Sequence, residues 1–292
     1  MKTVVAFGET LWDLLPTGPV LGGAPANFAY RVNSLGDRGI IVTRLGRDDL
    51  GKKAFDQLAS LGMDTSHVQW DGERPTGTVL VTVDSQGVPD FTIVKDVAYD
   101  FMSPVEATAD AFCFGTLIQR SGVSRRALWK TIEASPSALR FFDINLRKEC
   151  YTKETIESSL DQADVLKLND SEAQTVRRLF GLPGGTAIAT IARELRRRWS
   201  LDACVVTLGE KGSFAVTAND EAEVGGWNVD VVDTIGSGDA FSAAFLHCWM
   251  KGRPLADCLY FGNALGAMVA RTKGATAPVS VDEIHRFCGR SL

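Results

Sequence analysis

The 292-residue chain holds only three histidines, no cysteine pair at C-x-x-C spacing and no excess of basic charge. His67, His247 and His285 share no ligand spacing, and His247 lies in an apolar helical stretch where core packing accounts for it. A zinc site and a Ser-His-Asp triad therefore have no foundation. The six cysteines (Cys113, Cys150, Cys204, Cys248, Cys258 and Cys288) are scattered, some inside apolar runs such as Phe112-Cys113-Phe114. That usage suits buried free thiols in a reducing compartment better than disulfides. No apolar run reaches the about 20 residues of a membrane helix, and no basic stretch with an apolar core opens the chain. The expectation is a cytoplasmic protein, with the sequon at Asn169-Asp170-Ser171 a chance match. A formal charge of -5 argues against nucleic acid or an acidic membrane as main partner. An anionic cofactor stays open, because local donors rather than net charge bind phosphate.

A hydrophobic fraction of 45% against 23% charged residues makes the chain globular rather than disordered. Short β-rich apolar runs at 3–7, 39–43, 111–114, 140–144, 164–168 and 203–207 read as buried strands. Helical patterns at 26–35, 51–61, 125–134, 153–162, 171–179 and 186–199 alternate with them. The alternation predicts an α/β fold, a doubly wound and mainly parallel sheet flanked by helices, forming a single domain over 1–292. In that architecture ligands sit at the carboxyl ends of strands. One stretch breaks the rhythm: 78–84 and 90–94 read as a hairpin with its turn at 85–87. It is either a sheet edge or a small lid over a site.

The strongest chemical signal is Asp233-Thr-Ile-Gly236-Ser237-Gly238-Asp239, where a strand end meets a long helical stretch through Met250. Glycines allow a sharp bend and close approach of a ligand to the backbone. Amides at the start of a helix lack internal partners and can face an anion. Asp239 beside them could take a proton from a hydroxyl during phosphoryl transfer. Taken alone, these residues fit an ordinary helix cap equally well. Four other post-strand segments read two ways. Asp13, in Gly8-Glu9-Thr-Leu-Trp-Asp13, either accepts substrate hydroxyls or caps a turn. Asp143-Ile-Asn145-Leu-Arg147 offers a guanidinium for phosphate or a surface ion pair. Asn169-Asp-Ser-Glu172 can organise magnesium through water or close a capping box. Thr207-Leu-Gly209-Glu-Lys-Gly212 is a nucleotide loop or a hairpin turn.

The 233–241 segment, together with Gly22-Gly23-Ala-Pro-Ala-Asn27-Phe-Ala ahead of a helix, resembles the two signatures of the ribokinase-like (PfkB) carbohydrate kinases. Order and separation match that family over nearly the whole chain. The resemblance implies a ribokinase-like fold and transfer of the γ-phosphoryl group of ATP to a sugar hydroxyl. It makes Asp239 the base, the Gly236, Ser237 and Gly238 amides the anion hole, and Arg147 a phosphate contact. It places Asp13, Gly22, Gly23 and Asn27 on the sugar, and Lys167, Asn169, Thr207, Gly209, Gly212 and Asn263 on the nucleotide. Magnesium would be organised by Asn169 and Glu172 through water. Potassium would lie near Asp233, the Ile235 carbonyl and Lys273-Gly274-Ala275. The small β lid would come from about 12–22 and 76–97, reduced where only a short stretch separates Asp13 from Gly22, and could pair two copies as a homodimer. Gly8-Glu9, Gly22–Asn27 and Thr76-Gly77-Thr78 look most like fructokinases; ribose or 2-keto-3-deoxygluconate remain alternatives, as does a sugar sensor without turnover.

Two other readings fail on their residues. Gly46-Arg-Asp-Asp-Leu-Gly51-Lys52-Lys53 approaches a Walker loop but lacks the closing Ser or Thr, and Asp48 and Asp49 would repel phosphate. It reads as a turn and helix start. A nicotinamide oxidoreductase needs G-x-G-x-x-G after the first strand, which Gly8–Asp13 does not supply.

Overall fold

The computed structural model describes residues 1–16, 18–83 and 89–289. In chain order the strands are β1 (Thr3–Phe7), β2 (Leu11–Leu15), β3 (Gly18–Gly22), β4 (Arg38–Gly46), β5 (Val68–Asp71), β6 (Gly77–Val83), β7 (Pro89–Ile93), β8 (Ala111–Phe114), β9 (Leu139–Asp143), β10 (Val165–Asn169), β11 (Ala203–Thr207), β12 (Ser213–Thr217) and β13 (Glu221–Val224). The helices are α1 (Ala24–Ser34), α2 (Asp49–Ser60), α3 (Gly122–Glu133), α4 (Lys153–Leu160), α5 (Asp170–Phe180), α6 (Ile188–Arg198), α7 (Ser237–Met250), α8 (Leu255–Ala270) and α9 (Val281–Cys288).

Side chains that alternate along a strand face opposite sides of its sheet. Along β1, Val4 and Ala6 enter one apolar core while Val5 and Phe7 enter the other. Strands buried on both faces need helices on both faces. Residues of α1, α2, α7, α8 and α9 fill the first core, and those of α3, α4, α5 and α6 the second. The nine-stranded sheet runs β13-β12-β11-β10-β9-β8-β1-β4-β5. Pairing is parallel from β11 through to β5, whereas β12 lies antiparallel to both β11 and β13. The fold is thus the doubly wound α/β arrangement expected. Winding runs outward from β1 through β4 to β5, then reverses through β8, β9, β10 and β11. The reversal point, between β1 and β8, opens a crevice at the carboxyl ends of the strands.

The second sheet has the order β3-β2-β6-β7. The expected hairpin is present as antiparallel β6 and β7, and its expected turn at 85–87 lies outside the described residues. β2 adds to β6 in parallel and β3 folds back on β2, so this region is a sheet of its own rather than an edge of the large one. β2, β3, β5, β12 and β13 were not legible in the sequence pattern. β13 shows why: Glu-Ala-Glu-Val at a sheet edge mixes charge with small residues and carries little apolar signal.

The near-Walker segment is a helix start, as expected. Asp48 caps α2 by accepting from Gly51 N at 2.7 Å, and it also takes Thr76 N at 2.8 Å and Thr76 Oγ1 at 2.7 Å. One carboxylate therefore ties α2 to the entry of β6. Burial pushes the Asp48 pKa up, but the donors of Thr76 and Gly51 outweigh it and hold it below the ordinary value. A depressed carboxylate stabilises the fold above its unfolded pKa, and that contribution disappears as pH falls through the folded value. Asp48→Ala should therefore lower unfolding free energy by about 1–2 kcal/mol in urea melts at neutral pH, with the difference from wild type shrinking in acid. Equal stabilities at neutral pH would remove Asp48 from this role. Among the described residues no helix is long and apolar enough to cross a membrane.

Candidate active site

The Asp233–Asp239 bend is shaped by close contact with a distant loop. Gly236 has φ +79, and a Cβ there would sit 2.4 Å from the Ala275 Cβ, so only glycine fits both the backbone and the space. Asp233 closes the same loop: Oδ1 accepts from Ile235 N at 3.0 Å and Oδ2 from Gly274 N at 3.1 Å. This brings Asp233, Ile235, Gly274 and Ala275 together, the segments between which a monovalent cation was expected. Both carboxylate oxygens already hold amides, so a cation there would share them.

α7 begins at Ser237. The Ser237 amide donates to the Thr234 carbonyl at 3.2 Å and is committed to the turn. The next amides, of Gly238 and Asp239, have no backbone acceptor among the described residues. Gly238 and Asp239, rather than Ser237, are thus the donors this helix start presents to an anion. The buried Ser237 hydroxyl also has no hydrogen-bond partner among the described residues.

Asp239 accepts a hydrogen bond from Asn27 Nδ2 at 2.9 Å, which joins the C-terminal bend to α1. Its carboxyl is pushed up to about 6, first by burial and then by the negative charge of Asp143, against Asn27, Lys167 and Arg147. A general base works best with a pKa near the operating pH. Asp143, at the end of β9, does not pair with Arg147. Instead it accepts from Lys167 Nζ at 3.1 and 3.2 Å and from Ser242 Oγ at 2.7 Å, all buried. Burial alone would lower the Lys167 pKa, yet Asp143, Glu172 and Asp239 together raise it, so the ammonium stays charged beneath the bend. A Cβ at Gly238 would lie 3.4 Å from Lys167 Nζ, which places that cation against the start of α7.

Arg147 is exposed, but its charge reaches Glu9, Asp13 and Asp239, so it faces the space the three carboxyls share. Asp13 on β2 is half-buried, its pKa raised by burial and opposed by Arg147. A Cβ at Gly22 would stand 2.8 Å from Asp13 Oδ2, and one at Gly23 (φ +113) would strike the Glu9 carbonyl at 2.4 Å. The Gly22-Gly23 pair thus lets β3, the start of α1 and the end of β1 crowd around one cleft. That cleft is lined by Glu9, Thr116, Asp143, Asn145 and Asp239 among others.

Glu9 is the site residue that pattern reading missed. It is buried, and its carboxyl is pushed up to about 7 by burial, with the negative charge of Asp239 adding to the shift. The available signal was a charged residue immediately past the carboxyl end of β1.

Asn169 and Glu172 form a capping box on α5: Asn169 Oδ1 accepts from Glu172 N at 2.9 Å and Glu172 Oε2 from Asn169 N at 2.8 Å. Glu172 Oε1 accepts from Leu146 N at 2.8 Å, fixing the stretch that leads to Arg147. Both side chains are held in place, so any part in binding magnesium fits contact through water. Among the described residues no group of three or more His, Cys, Asp or Glu side chains could hold a metal ion. Thr207 ends β11 beside Asn169, and Gly209 and Gly212 shape the turn into β12. Asn263 Nδ2 on α8 donates to the carbonyls of Val224 and Gly225 at 3.1 and 3.3 Å. The Asn263 side chain thus braces the 224–225 backbone.

The sequence model of the pfkB family carbohydrate kinases matches residues 17–282. Fructokinase-2 of Solanum habrochaites is 31% identical over 305 aligned residues, covering 93% of this chain and 91% of that protein. An uncharacterized sugar kinase from Pyrococcus horikoshii, crystallised in complex with ATP, superposes with a TM-score of 0.83 at 26% identity, covering 99% of this chain and all (100%) of that one. A fructokinase double mutant from Vibrio cholerae, in fructose-, ADP- and potassium-bound form, shares the fold with a TM-score of 0.85 at 24% identity and 98% coverage of both chains. This chain belongs to the pfkB family of carbohydrate kinases and is a sugar kinase.

Proposed function

We propose that this kinase transfers the γ-phosphoryl group of ATP to fructose, giving fructose 6-phosphate. The observation that carries the chemistry is Asp239: a carboxyl raised to about 6, held by Asn27, at a helix start with free amides. In this reading Asp13, Asn27 and the Gly22-Gly23 backbone hold the sugar hydroxyls. Asp239 takes the proton of the attacking hydroxyl as the oxygen–phosphorus bond forms and the bond to ADP breaks. The amides of Gly238 and Asp239 and the guanidinium of Arg147 face the charge on the transferring group. Lys167, Thr207, Gly209, Gly212 and Asn263 lie on the nucleotide side. Magnesium bound to the ATP phosphates would neutralise charge there, with Asn169 and Glu172 reaching it through water. Potassium would sit by Asp233 and the Ile235 carbonyl, as the potassium-bound relative suggests. The second sheet, which carries Asp13, acts as a lid that excludes water as a competing acceptor. Support for fructose comes from the fructokinase relatives and from the Gly8-Glu9 and Thr76-Gly77-Thr78 segments.

ADP release measured with fructose, ribose and 2-keto-3-deoxygluconate should show the largest kcat/KM with fructose. Preference for another sugar would overturn the substrate, and sugar binding without ADP release would overturn turnover. Asp239→Asn should cut kcat by roughly 10²–10⁴-fold and leave sugar Kd nearly unchanged; a kcat near wild type would sink the base assignment. Asp13→Ala should weaken sugar binding by about 10- to 100-fold, the value of a hydrogen bond to a charged group, as read by calorimetry. An unchanged Kd would place Asp13 outside the sugar site. Because Asp239 must be ionised to act, kcat/KM should fall about tenfold per pH unit below an acid limb near its raised pKa. A flat profile down to pH near the ordinary aspartate value would contradict the burial of Asp239.

A further inference from the structure

Arg31 heads the large side chains that are fully buried, a permanent charge at 0% exposure in the middle of α1. Among the described residues no carboxylate lies within ion-pair distance of it. Its Nη1 donates to the Ala277 carbonyl at 2.8 Å, its Nη2 donates to the Ala275 carbonyl, and its Nε has no partner. Burial of a charge this weakly compensated is costly, and an apolar side chain of similar size would fill the same space more stably. Its placement suggests what that cost secures. Asn27 and Arg31 stand one helical turn apart, so they project from the same face of α1. The first holds Asp239, and the second holds Ala275, the residue pressed against Gly236. One face of α1 therefore grips both sides of the bend.

We propose that Arg31 is a positioning residue for phosphoryl transfer: it clamps the 275–277 segment against Gly236, and so keeps Asp239 and the α7 amides in reacting geometry. The proposal rests on the reading of Asp239 as base. The guanidinium also contributes charge, because its interaction with Asp239 favours the ionised carboxylate. The other groups that act on Asp239 are Asn27 from α1, Asp143 and Arg147 at and after β9, and Lys167 from β10, with Glu9 after β1 in the same cleft. A lysine at position 31 keeps the charge but lacks the planar fork that holds two carbonyls at once.

The test is steady-state kinetics of full-length Arg31→Met and Arg31→Lys with ATP and sugar across the acid limb, each paired with a thermal melt. Arg31→Met should lower kcat about 10- to 100-fold, leave sugar KM within about twofold, and move the acid limb of kcat/KM to higher pH, since losing a nearby cation makes Asp239 harder to ionise. Arg31→Lys should return the limb to its wild-type position with kcat only partly restored. A kcat loss that merely matches the lost folded fraction, with an unmoved limb, would show a packing role alone and overturn the proposal. Should Arg31→Met fail to fold, Arg31→Lys decides: reduced kcat at an unchanged limb supports the clamp, and wild-type kcat refutes it. Asp239→Asn in the same assay separates the two ideas. Full activity there removes the base itself, whereas an inactive Asp239→Asn beside a fully active Arg31→Met removes only the clamp.

Discussion

The hydrogen bond from Asn27 to Asp239 is the contact on which the rest of the site depends. It joins residues 212 positions apart and fixes Asp239, the proposed base, between the first helix and the helix that follows the glycine bend. A carboxylate buried beside a second carboxylate would ordinarily take up a proton and lose its use as a base. Here Asp143 is held by Lys167 and Ser242 on the sheet side, while the Asn27 hydrogen bond and the charges of Lys167 and Arg147 oppose the rise in Asp239. The balance leaves Asp239 with a pKa of about 6, high enough to accept a proton well and low enough to be ionised at neutral pH.

That balance draws on many elements because the doubly wound sheet brings their ends together. Glu9 follows β1, Thr116 follows β8, Asp143 ends β9 and Lys167 lies within β10, all near the carboxyl edge where the winding reverses. Helix starts add oriented amides to the same edge, at α7 directly and at α5 through the Asn169–Glu172 box. Glu172 then reaches Leu146, so one capping interaction also sets the path of the chain toward Arg147. Structural and functional roles are not alternatives at this position, since a carboxylate that caps a helix can also order the loop beside it.

The second sheet illustrates a different constraint. Polar ties that hold it to the elements of the large sheet include Asp48 with Thr76 and the Trp12 indole with the Leu50 carbonyl at 2.9 Å. Asp13 is the ionisable group it brings to the cleft through β2, facing the field of Arg147. In the proposed reading, sugar recognition and phosphoryl chemistry come from separate layers, an arrangement suited to a site that closes over its substrate.

The amino-acid order alone determined the alternation of buried strands and helices, because apolar runs and helical periods are local properties of the chain. It also located the glycine bend, Asp239 and the Gly22-Gly23 segment, since sharp turns and close backbone approach demand particular residues at particular spacing. It left β13 unseen at the edge of the large sheet, where charged and small residues carry no periodic signal. Only the tertiary structure decided the partners of the charged groups: Asp143 with Lys167 instead of Arg147, Glu9 raised by burial in the cleft, and Arg31 committed to the carbonyls of a loop more than 240 residues away. The reason is that burial and charge pairing are set by groups remote in the chain, and a sequence read along its length carries no distance between them.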